Sequence, residues 1–369
     1  MAQRPLSESY TYLRDALKER IFILDGAMGT MIQRHRLTEE DFRGERFKDH
    51  PCDIKGNNDL LSLTRPDVIY DIHYGYYMAG SDIAETNTFS GTSIAQADYH
   101  MEHIVFELNK VSAELCRKAA SAAQAQDGRR RFVAGAIGPT NRVLSMSRQV
   151  DDPGFRDLTF RQLADAYLEQ IKGLIAGGVD ILMVETIFDT LNAKAALYAI
   201  EEYYEAAPID EPRLPTIISG TITDASGRTL SGQTIEAFYS SVAHAKPLAI
   251  GINCALGATE MRPYIQRLSN LAECYISCYP NAGLPNAMGG YSQKPEETHD
   301  LLRDFCTSGF VNLVGGCCGT SPDHINAIYR AAQGVAPRVV PKTYQNMRIS
   351  GLEALEFRDN MNFVNVGER

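Results

Sequence analysis

The sequence has little positive charge and no long hydrophobic run, and both absences exclude classes of protein. Its 36 Lys and Arg residues stand against 46 Asp and Glu residues, which gives a net charge of −10. This balance repels phosphate backbones, so we expect no nucleic-acid partner. No apolar run approaches the ~20 residues that span a bilayer, and the polar N-terminal segment has no apolar signal-peptide region. We therefore expect a cytoplasmic protein that does not contact a membrane.

Motifs typical of several common enzyme classes are also missing. The glycine-rich segments DGAMGT (25–30) and GGCCGT (315–320) lack the Gly-Lys-Ser/Thr ending of a phosphate-binding loop. No Gly-x-Ser-x-Gly segment occurs, and the eight histidines do not cluster at metal-binding spacing. His73 lies in DIHYG, whose glycine is one place too early for a corrinoid-binding pattern. These absences argue against nucleotide binding, serine-hydrolase chemistry and cobalamin binding by this chain.

Short apolar runs rich in β-branched residues alternate with amphipathic stretches along most of the chain. The strand-like runs are 21–25, 82–86, 132–136, 180–185, 215–219, 248–253, 274–279 and 310–314. The helical stretches are 66–79, 102–123, 160–177, 189–205, 232–243, 259–270, 295–308 and 322–333. This alternation favours a parallel sheet closed into a (β/α)8 TIM-type barrel, although an open doubly wound sheet would show the same pattern.

The repeating pattern is interrupted once and stops before the sequence does. A long polar insertion, residues 31–65, follows the first strand. Past residue 334 the helical pattern gives way to GVAPRVVPKTY, which is typical of a linker. We therefore predict a barrel domain over residues 1–334, with a linker after it and no ninth repeat within 335–369.

The residues after the predicted strands differ from those in the opposite connections. The strand ends carry Gly, Asn, Thr or carboxylates, as in ETNTF (85–89) and ETIFDT (185–190), whereas AGGVD (176–180) resembles a short structural turn. Chemistry in a (β/α)8 barrel gathers in the loops that follow the carboxyl ends of the strands. The asymmetry therefore predicts that one mouth of the barrel is a functional site.

Three of the eight cysteines fall at those strand ends. Cys254 follows the sixth predicted strand, and Cys317 with Cys318 follows the eighth. Neighbouring side chains in a regular strand point to opposite faces, but the flanking glycines allow a turn that aims both sulfurs at one point. Three thiolates would leave one position of a zinc tetrahedron open, which is the pattern of a catalytic zinc site.

Other interpretations of the cysteines remain open at this stage. A Cys-Cys pair can be two buried small hydrophobes or a vicinal disulfide, and Cys254 taken alone would be a core residue. Cys274 and Cys278 share one face of a strand without further soft ligands nearby, so we predict that they pack inside the barrel wall. Cys52, Cys116 and Cys306 lie in helical or inserted segments and are expected to be structural.

Two carboxylates also end predicted strands. Asp25 ends the first strand and Glu185 ends the fourth. At a barrel mouth such a group can bind an ammonium ion or act as a base, whereas elsewhere it caps a helix or forms a surface ion pair.

Taken together, seven strand-end segments resemble the homocysteine S-methyltransferase family, and above all the homocysteine-binding module of cobalamin-dependent methionine synthase. The resemblance covers at least residues 20–334 and rests on DGAMGT, ETNTF, GPTN, ETIFDT, INCALG, PNAG and GGCCGT. Four segments indicate the cobalamin-dependent member: FRGER (42–46), KGNNDLL (55–61), TDASGRTLSG (223–232) and PNAGLPN (280–286). The ending NFVNVGER (362–369) resembles the start of the folate-binding barrel that follows in that enzyme, so the resemblance implies that residues 335–369 hold a linker and the start of a following folate-binding-like domain.

The resemblance implies a set of site residues and cofactors. Cys254, Cys317 and Cys318 are implied as ligands of Zn²⁺, which activates homocysteine as a thiolate for methyl transfer. The implied amino-acid pocket has carboxylates that bind the substrate ammonium group and backbone N–H groups that bind its carboxylate, and it comprises Asp25, Gly26, Thr88 and Glu185. Asn281 is a further candidate, as a neutral fourth zinc ligand when the substrate is absent.

The resemblance also implies partners. Methylcobalamin would be the methyl donor and would be bound by another module, and folate-, cobalamin- and activation-type domains would complete the full-length protein. Two alternatives remain open. One is a stand-alone methyltransferase that uses betaine or S-methylmethionine, and the other is a non-catalytic, zinc-stabilised scaffold for partner domains.

Overall fold

A computed structural model describes residues 4–223, 226–287, 289–342, 346–365 and 367. Eight parallel strands pair in the order β1-β8-β7-β6-β5-β4-β3-β2, and a bridge between Leu24 and Ile83 joins β1 to β2. The strands are β1 Phe22–Ile23, β2 Ile83–Glu85, β3 Phe132–Ile137, β4 Ile181–Ile187, β5 Thr216–Gly220, β6 Ala249–Gly257, β7 Tyr275–Asn281 and β8 Leu313–Val314. The predicted (β/α)8 barrel is confirmed, and the open sheet is not observed.

Helices cover the outside of the barrel and follow the predicted stretches closely. The α-helices are α1 Glu8–Ala16, α2 Met28–Arg34, α3 Glu39–Arg43, α4 Leu61–Thr64, α5 Pro66–Ala79, α6 Ser93–Gln96, α7 Val105–Asp127, α8 Phe160–Ala176, α9 Thr190–Ala206, α10 Ile235–Val242, α11 Ala258–Leu271, α12 Pro295–Thr307 and α13 Pro322–Ala332. Short 3-10 turns cover Asn58–Leu60, Ala97–Tyr99, Glu102–Ile104 and Ala243–Ala245. Among the described residues, no helix is both long enough and apolar enough to cross a membrane.

The N-terminal helix α1 closes one end of the barrel. Ser7 caps it by accepting a hydrogen bond from the Tyr10 N–H at 3.0 Å. Leu13 and Leu17 are fully buried and belong to the same apolar cluster as inward-facing strand residues such as Phe22 and Phe132. The helix lies across the amino ends of the strands, so the barrel interior is packed at this end.

The polar insertion after β1 folds over the carboxyl ends of the strands. Its apolar side chains Ile54, Leu60 and Leu61 are fully buried against the main core. The side-chain amides of Asn57 and Gln96 bond to each other at 2.7 and 3.1 Å. Because both buried amides are paired, the insertion forms an ordered part of the wall around the barrel mouth.

Residues after α13 lie against the barrel as well. Arg338 is buried and donates hydrogen bonds to the carbonyl oxygens of Ser269, Ala272 and Cys274. A hairpin, β9 Arg348–Ser350 and β10 Ala354–Glu356, then packs on α10, where Ser350 Oγ donates to the Ala237 carbonyl at 2.8 Å. The segment predicted as a linker is therefore anchored to the barrel over much of its length, while the domain boundary at residue 334 stays a prediction.

Candidate functional site

A cavity of about 560 Å³ opens at the carboxyl ends of the strands. Strand-end loops and the insertion after β1 both contribute to its wall. The side chains that matter for chemistry are Asp25, Glu85, Glu185, Cys254, Tyr279, Tyr291, Cys317 and Cys318, and the backbone of Gly26 also lines it. The structure therefore brings the three strand-end cysteines and both predicted carboxylates into one space.

The sulfur atoms of Cys254, Cys317 and Cys318 all lie within 4.8 Å of one another. The Cys254 and Cys318 sulfurs are 3.7 Å apart. Among the described residues, these cysteines form the one group of three or more His, Cys, Asp or Glu side chains close enough to share a metal ion. Sulfur ligands in this arrangement suit a soft or borderline cation, and three of them leave a coordination position open.

A bulge in β6 aims Cys254 at the other cysteines. Residues 254–256 lie between the pairs Asn253–Tyr279 and Gly257–Asn281, where β7 has only Pro280. Cys254 and Ala255 adopt left-handed backbone angles, with φ of 61° and 59°. Such angles cost roughly 1–3 kcal/mol per non-glycine residue, and they persist where the surroundings hold them at functional sites.

Glycines shape the turn after β8 that carries the other two cysteines. Gly319 has φ of 80°, and a Cβ there would lie 2.4 Å from the Tyr291 ring. The Cys317 N–H donates to the Pro280 carbonyl at 2.8 Å, and the Cys318 N–H donates to Asn281 Oδ1 at 3.1 Å. The turn is thus tied to β7, and both sulfurs face the cavity, as the flanking glycines suggested.

Hydrogen bonds among the three thiols favour the thiolate form of Cys318. Hydrogen bonds from the Cys254 and Cys317 thiols lower the pKa of Cys318 to about 3. The hydrogen bonds to Cys254 and Cys318 hold the proton on Cys317 and raise its pKa well above the usual value. The Tyr291 hydroxyl also bonds to the Cys318 sulfur, and burial raises the pKa of that hydroxyl. A cation at this point would replace the thiol protons.

The other cysteines lie away from this cluster. Cys116, Cys278 and Cys306 are buried in the main core. Cys52 and Cys274 are partly buried and pack against the outside of that core. Burial raises the pKa of Cys278, and it raises the pKa of Cys274 to about 12. Both thiols therefore stay protonated, as expected of residues that only pack in the barrel wall.

Three carboxyl groups, rather than the two predicted, lie together in the cavity. Asp25 Oδ2 accepts a hydrogen bond from the Glu85 N–H at 3.1 Å, and the Glu85 and Glu185 side chains bond to each other. Burial raises the pKa of all three groups, to about 7 for Glu85 and well above the usual range for Asp25 and Glu185, where the neighbouring Glu85 charge adds to the effect. This cluster suits a ligand that brings a positive charge.

Sequence reasoning missed Glu85 and Tyr291 as site residues. Glu85 ends β2 in the same way that Asp25 and Glu185 end their segments, so its position was a signal that could have identified it. Tyr291 lies in an irregular loop between β7 and α12, where no periodic pattern marks a residue as facing the cavity. Its contact with Cys318 follows only from the folded path of that loop.

The remaining predicted site residues have different surroundings. A Cβ on Gly26 would lie 2.8 Å from Thr320 Oγ1 and from the Tyr76 ring, so only glycine fits there. Thr88 is fully buried, and its N–H donates to the Thr86 carbonyl at 2.9 Å. The Thr88 N–H is thus bonded within the chain, and the binding of a substrate carboxylate by N–H groups near Gly26 and Thr88 stays a prediction. Asn281 is also buried, and its Oδ1 is bonded to the Cys318 backbone.

Fold and site together define a class of protein: a (β/α)8 barrel with three thiols and a buried acidic pocket side by side at its open mouth. Comparison with known families agrees with this description. The homocysteine S-methyltransferase family model matches residues 22–332. The chain belongs to the homocysteine S-methyltransferase family.

Solved structures share the fold. The metallated form of the homocysteine methyltransferase MmuM from Escherichia coli is 23% identical, with a TM-score of 0.67 over 88% of this chain and 99% of that chain. Its oxidized form is also 23% identical, with a TM-score of 0.66 over the same shares. Its apo form is 22% identical, with a TM-score of 0.59 over 85% of this chain and 97% of that chain.

Proposed function

We propose that this chain is a zinc-dependent homocysteine S-methyltransferase unit. It binds homocysteine and activates the thiol for methyl transfer from methylcobalamin, which gives methionine. The observation that carries the proposal is the cluster of three sulfurs within 4.8 Å in the cavity that also holds three carboxyl groups. Membership of the family supports methyl transfer to homocysteine, whereas the metal and the methyl donor belong to this proposal.

The donor set fits zinc. Cys254, Cys317 and Cys318 would hold the ion as thiolates, and their sulfurs already lie within 4.8 Å of one another, which supports a shared metal. Zinc bound there would take the substrate sulfur at its open position and favour the thiolate over the thiol. Asn281 would serve as a fourth ligand only if its Oδ1 left the Cys318 N–H, so a positioning role fits it better.

The carboxyl groups would recognise the amino-acid end of homocysteine. Asp25, Glu85 and Glu185 together would hold the ammonium group, whose charge offsets their mutual repulsion. The backbone at Gly26 lines the same cavity and would face the substrate carboxylate. Thr88 supports the wall from behind, where its hydroxyl donates to the Ala136 carbonyl at 2.7 Å.

The chemistry that the site must support is a methyl transfer to sulfur. The thiol proton leaves for the solvent when homocysteine binds, and the sulfur lone pair then forms the new S–C bond. The bond between the methyl carbon and its donor breaks, and its electron pair stays on the donor. The residues of the chain hold the sulfur and the amino-acid end so that one face of the sulfur points toward the open mouth.

One alternative has its own support. This chain covers 99% of the E. coli MmuM chain, so a barrel of this kind makes up that whole enzyme. A stand-alone enzyme that uses S-methylmethionine or betaine is therefore the second candidate. With methylcobalamin as donor, partner domains of folate-, cobalamin- and activation-type would complete the protein. A non-catalytic zinc scaffold would show no change at the metal when homocysteine is added.

Metal analysis and X-ray absorption with and without homocysteine test the proposal. We expect about one zinc per chain, as for a single tetrahedral site, and one additional sulfur ligand when homocysteine binds. Turnover with methylcobalamin, S-methylmethionine and betaine, measured side by side, identifies the donor. A zinc whose ligands stay unchanged in the presence of homocysteine would contradict the proposal.

A further inference from the structure

Asn253 lies between the acidic pocket and the thiol cluster and is fully buried. We infer that Asn253 is a positioning residue that couples the two halves of the site, so that a ligand bound to the carboxyl groups alters the metal affinity of the cysteines. This inference rests on the proposed function, because it assumes that the carboxyl groups bind an amino acid and that the cysteines bind a metal.

The side chain of Asn253 holds the strand that carries Glu185. Its Oδ1 accepts hydrogen bonds from the Thr186 N–H at 3.1 Å and from Ser219 Oγ at 2.7 Å. Its Nδ2 donates to Thr186 Oγ1 at 2.7 Å. The carboxamide therefore binds both the backbone and the side chain of Thr186, which fixes the rotamer of Asn253 as well as the position of Thr186.

Thr186 is a conformationally demanding residue next to Glu185. Its φ is 54°, and it lies in a bulge where residues 185 and 186 stand between the β4–β5 pairs Val184–Ile218 and Ile187–Gly220. Its hydroxyl also donates to Glu185 Oε2 at 3.4 Å. Since a β-branched residue rarely adopts this angle, the bonds from Asn253 hold the bulge and with it the Glu185 carboxyl.

The backbone of Asn253 starts the bulge that carries Cys254. Its carbonyl oxygen accepts a hydrogen bond from Thr221 Oγ1 at 3.0 Å, and Cys254 follows with its left-handed φ of 61°. One residue thus anchors both bulges, by its side chain toward Glu185 and by its main chain toward Cys254. If a ligand bound at Glu185 displaces that residue, Asn253 would therefore move with it and would shift the sulfur of Cys254.

Coupling between two binding sites is reciprocal and can be measured from either side. The probe is norvaline, which has the amino and carboxylate groups of homocysteine and a methyl group in place of the sulfur. We would measure the Zn²⁺ affinity of the full chain by competition with a chelator, with and without saturating norvaline. We expect norvaline to change the zinc affinity at least fivefold, which is the lower end of typical coupling.

Two variants break the link at different points. Asn253→Ala removes the carboxamide, and Thr186→Val keeps the shape of residue 186 but removes its hydroxyl. In both we expect norvaline to change the zinc affinity less than twofold. Asn109→Ala is the matched control, because Asn109 is another fully buried carboxamide whose Nδ2 donates to the Gly91 and Val105 carbonyls, both at 2.7 Å. It should keep the full effect.

The outcomes separate the coupling from the proposed function. A native chain that binds neither zinc nor norvaline overturns both. A native chain that binds both, but with independent affinities, overturns the coupling alone, and so does an unchanged norvaline effect in Asn253→Ala. If Asn253→Ala fails to fold, Thr186→Val decides in the same way.

Discussion

Glu85 shares the floor of the cavity with Asp25 and Glu185, and burial disfavours the charged form of each group. The pKa of Glu85 is raised from 4.5 to about 7. In the unfolded chain this carboxyl ionises near its ordinary value, whereas the folded protein keeps its proton until about pH 7. Its contribution to stability is therefore complete below about pH 4.5 and is lost as the pH rises through 7.

Replacing Glu85 with Gln should reduce this pH dependence. Glutamine keeps the size and remains neutral, so the variant should gain about 1–3 kcal/mol of unfolding free energy at pH 8 relative to the native chain. Part of the pH dependence remains, because burial also raises the pKa of Asp59 to about 7 and raises the pKa values of Asp25 and Glu185. Urea unfolding of the reduced, metal-free protein at pH 5 and pH 8 measures the change. Glu205→Gln, on the exposed side of α9, is the control, and an equal gain in both variants would contradict the assignment.

Glu185→Gln tests recognition of the amino group rather than of the sulfur. A charge-assisted hydrogen bond typically contributes about 1.5–3 kcal/mol, or roughly 10–150-fold in affinity. We expect a loss of this size for homocysteine, a much smaller loss for a simple alkyl thiol, and unchanged zinc content. Titration calorimetry with both thiols measures it. Equal losses for the two ligands would mean that Glu185 supports the wall or the metal ligands instead.

Individual residues differ in how far the sequence could reveal them. Asp25, Glu185 and the three cysteines could be placed at the barrel mouth because each follows a buried strand, and strand ends meet at one face of a parallel barrel. Thr88 also follows a strand, yet its N–H is used in a local turn, which depends on backbone angles that residue types do not specify. The raised pKa values likewise depend on burial in three dimensions.

The turn after β8 shows how one short element sets the geometry of the sulfurs. Gly319→Ala should add two penalties, because the residue has φ of 80° and its new Cβ would lie 2.4 Å from Tyr291. Gly128→Ala is a matched control: it has φ of 73° but nothing within 4 Å of the added Cβ. In both variants an alanine must adopt a left-handed backbone conformation, which lowers the free energy of unfolding by roughly 1 kcal/mol or more.

Only Gly319→Ala should also disturb the metal site. It displaces Tyr291 from the Cys318 sulfur, so we expect weaker zinc binding in this variant and native zinc affinity in Gly128→Ala. Thermal unfolding and chelator competition on the two proteins separate the effects. Native zinc affinity in Gly319→Ala would show that the turn tolerates a side chain.

The strands themselves were predictable, but their irregularities were not. The β-branched runs that became β4 and β6 were predicted at 180–185 and 248–253, whereas the strands extend to Ile187 and Gly257. The two bulges, at residues 185–186 and 254–256, lie at or just past the ends of the predicted runs, and they place Glu185 and Cys254. Nothing in the residue pattern of Glu-Thr-Ile or Asn-Cys-Ala distinguishes a bulge from a turn, since the bulges are held by bonds from residues distant in sequence, Asn253 on β6 and Thr221 just after β5.

At the scale of the whole molecule, a metal held by the cysteines would link β6 to β8 across β7. An ion that binds only the folded chain stabilises it by about 4 kcal/mol when its free concentration is a thousandfold above the dissociation constant. We therefore expect a chelator to lower the melting temperature of the native chain. Calorimetry of Cys254→Ala should show no response to the chelator, while Cys278→Ala should keep it. A chelator response in Cys254→Ala would place the metal elsewhere.

The closed end of the barrel has a consequence for the order of events. Because α1 packs Leu13 and Leu17 into the barrel at the amino ends of the strands, the substrate and the methyl donor would both reach the cavity from the carboxyl ends of the strands. Under the proposed function, homocysteine would bind first, and the methyl donor would then bind at the opening of the cavity and cover it. Methionine would then dissociate only after the demethylated donor has left the opening. Steady-state kinetics with both substrates varied should thus show a compulsory order, in which homocysteine binds first and methionine dissociates last.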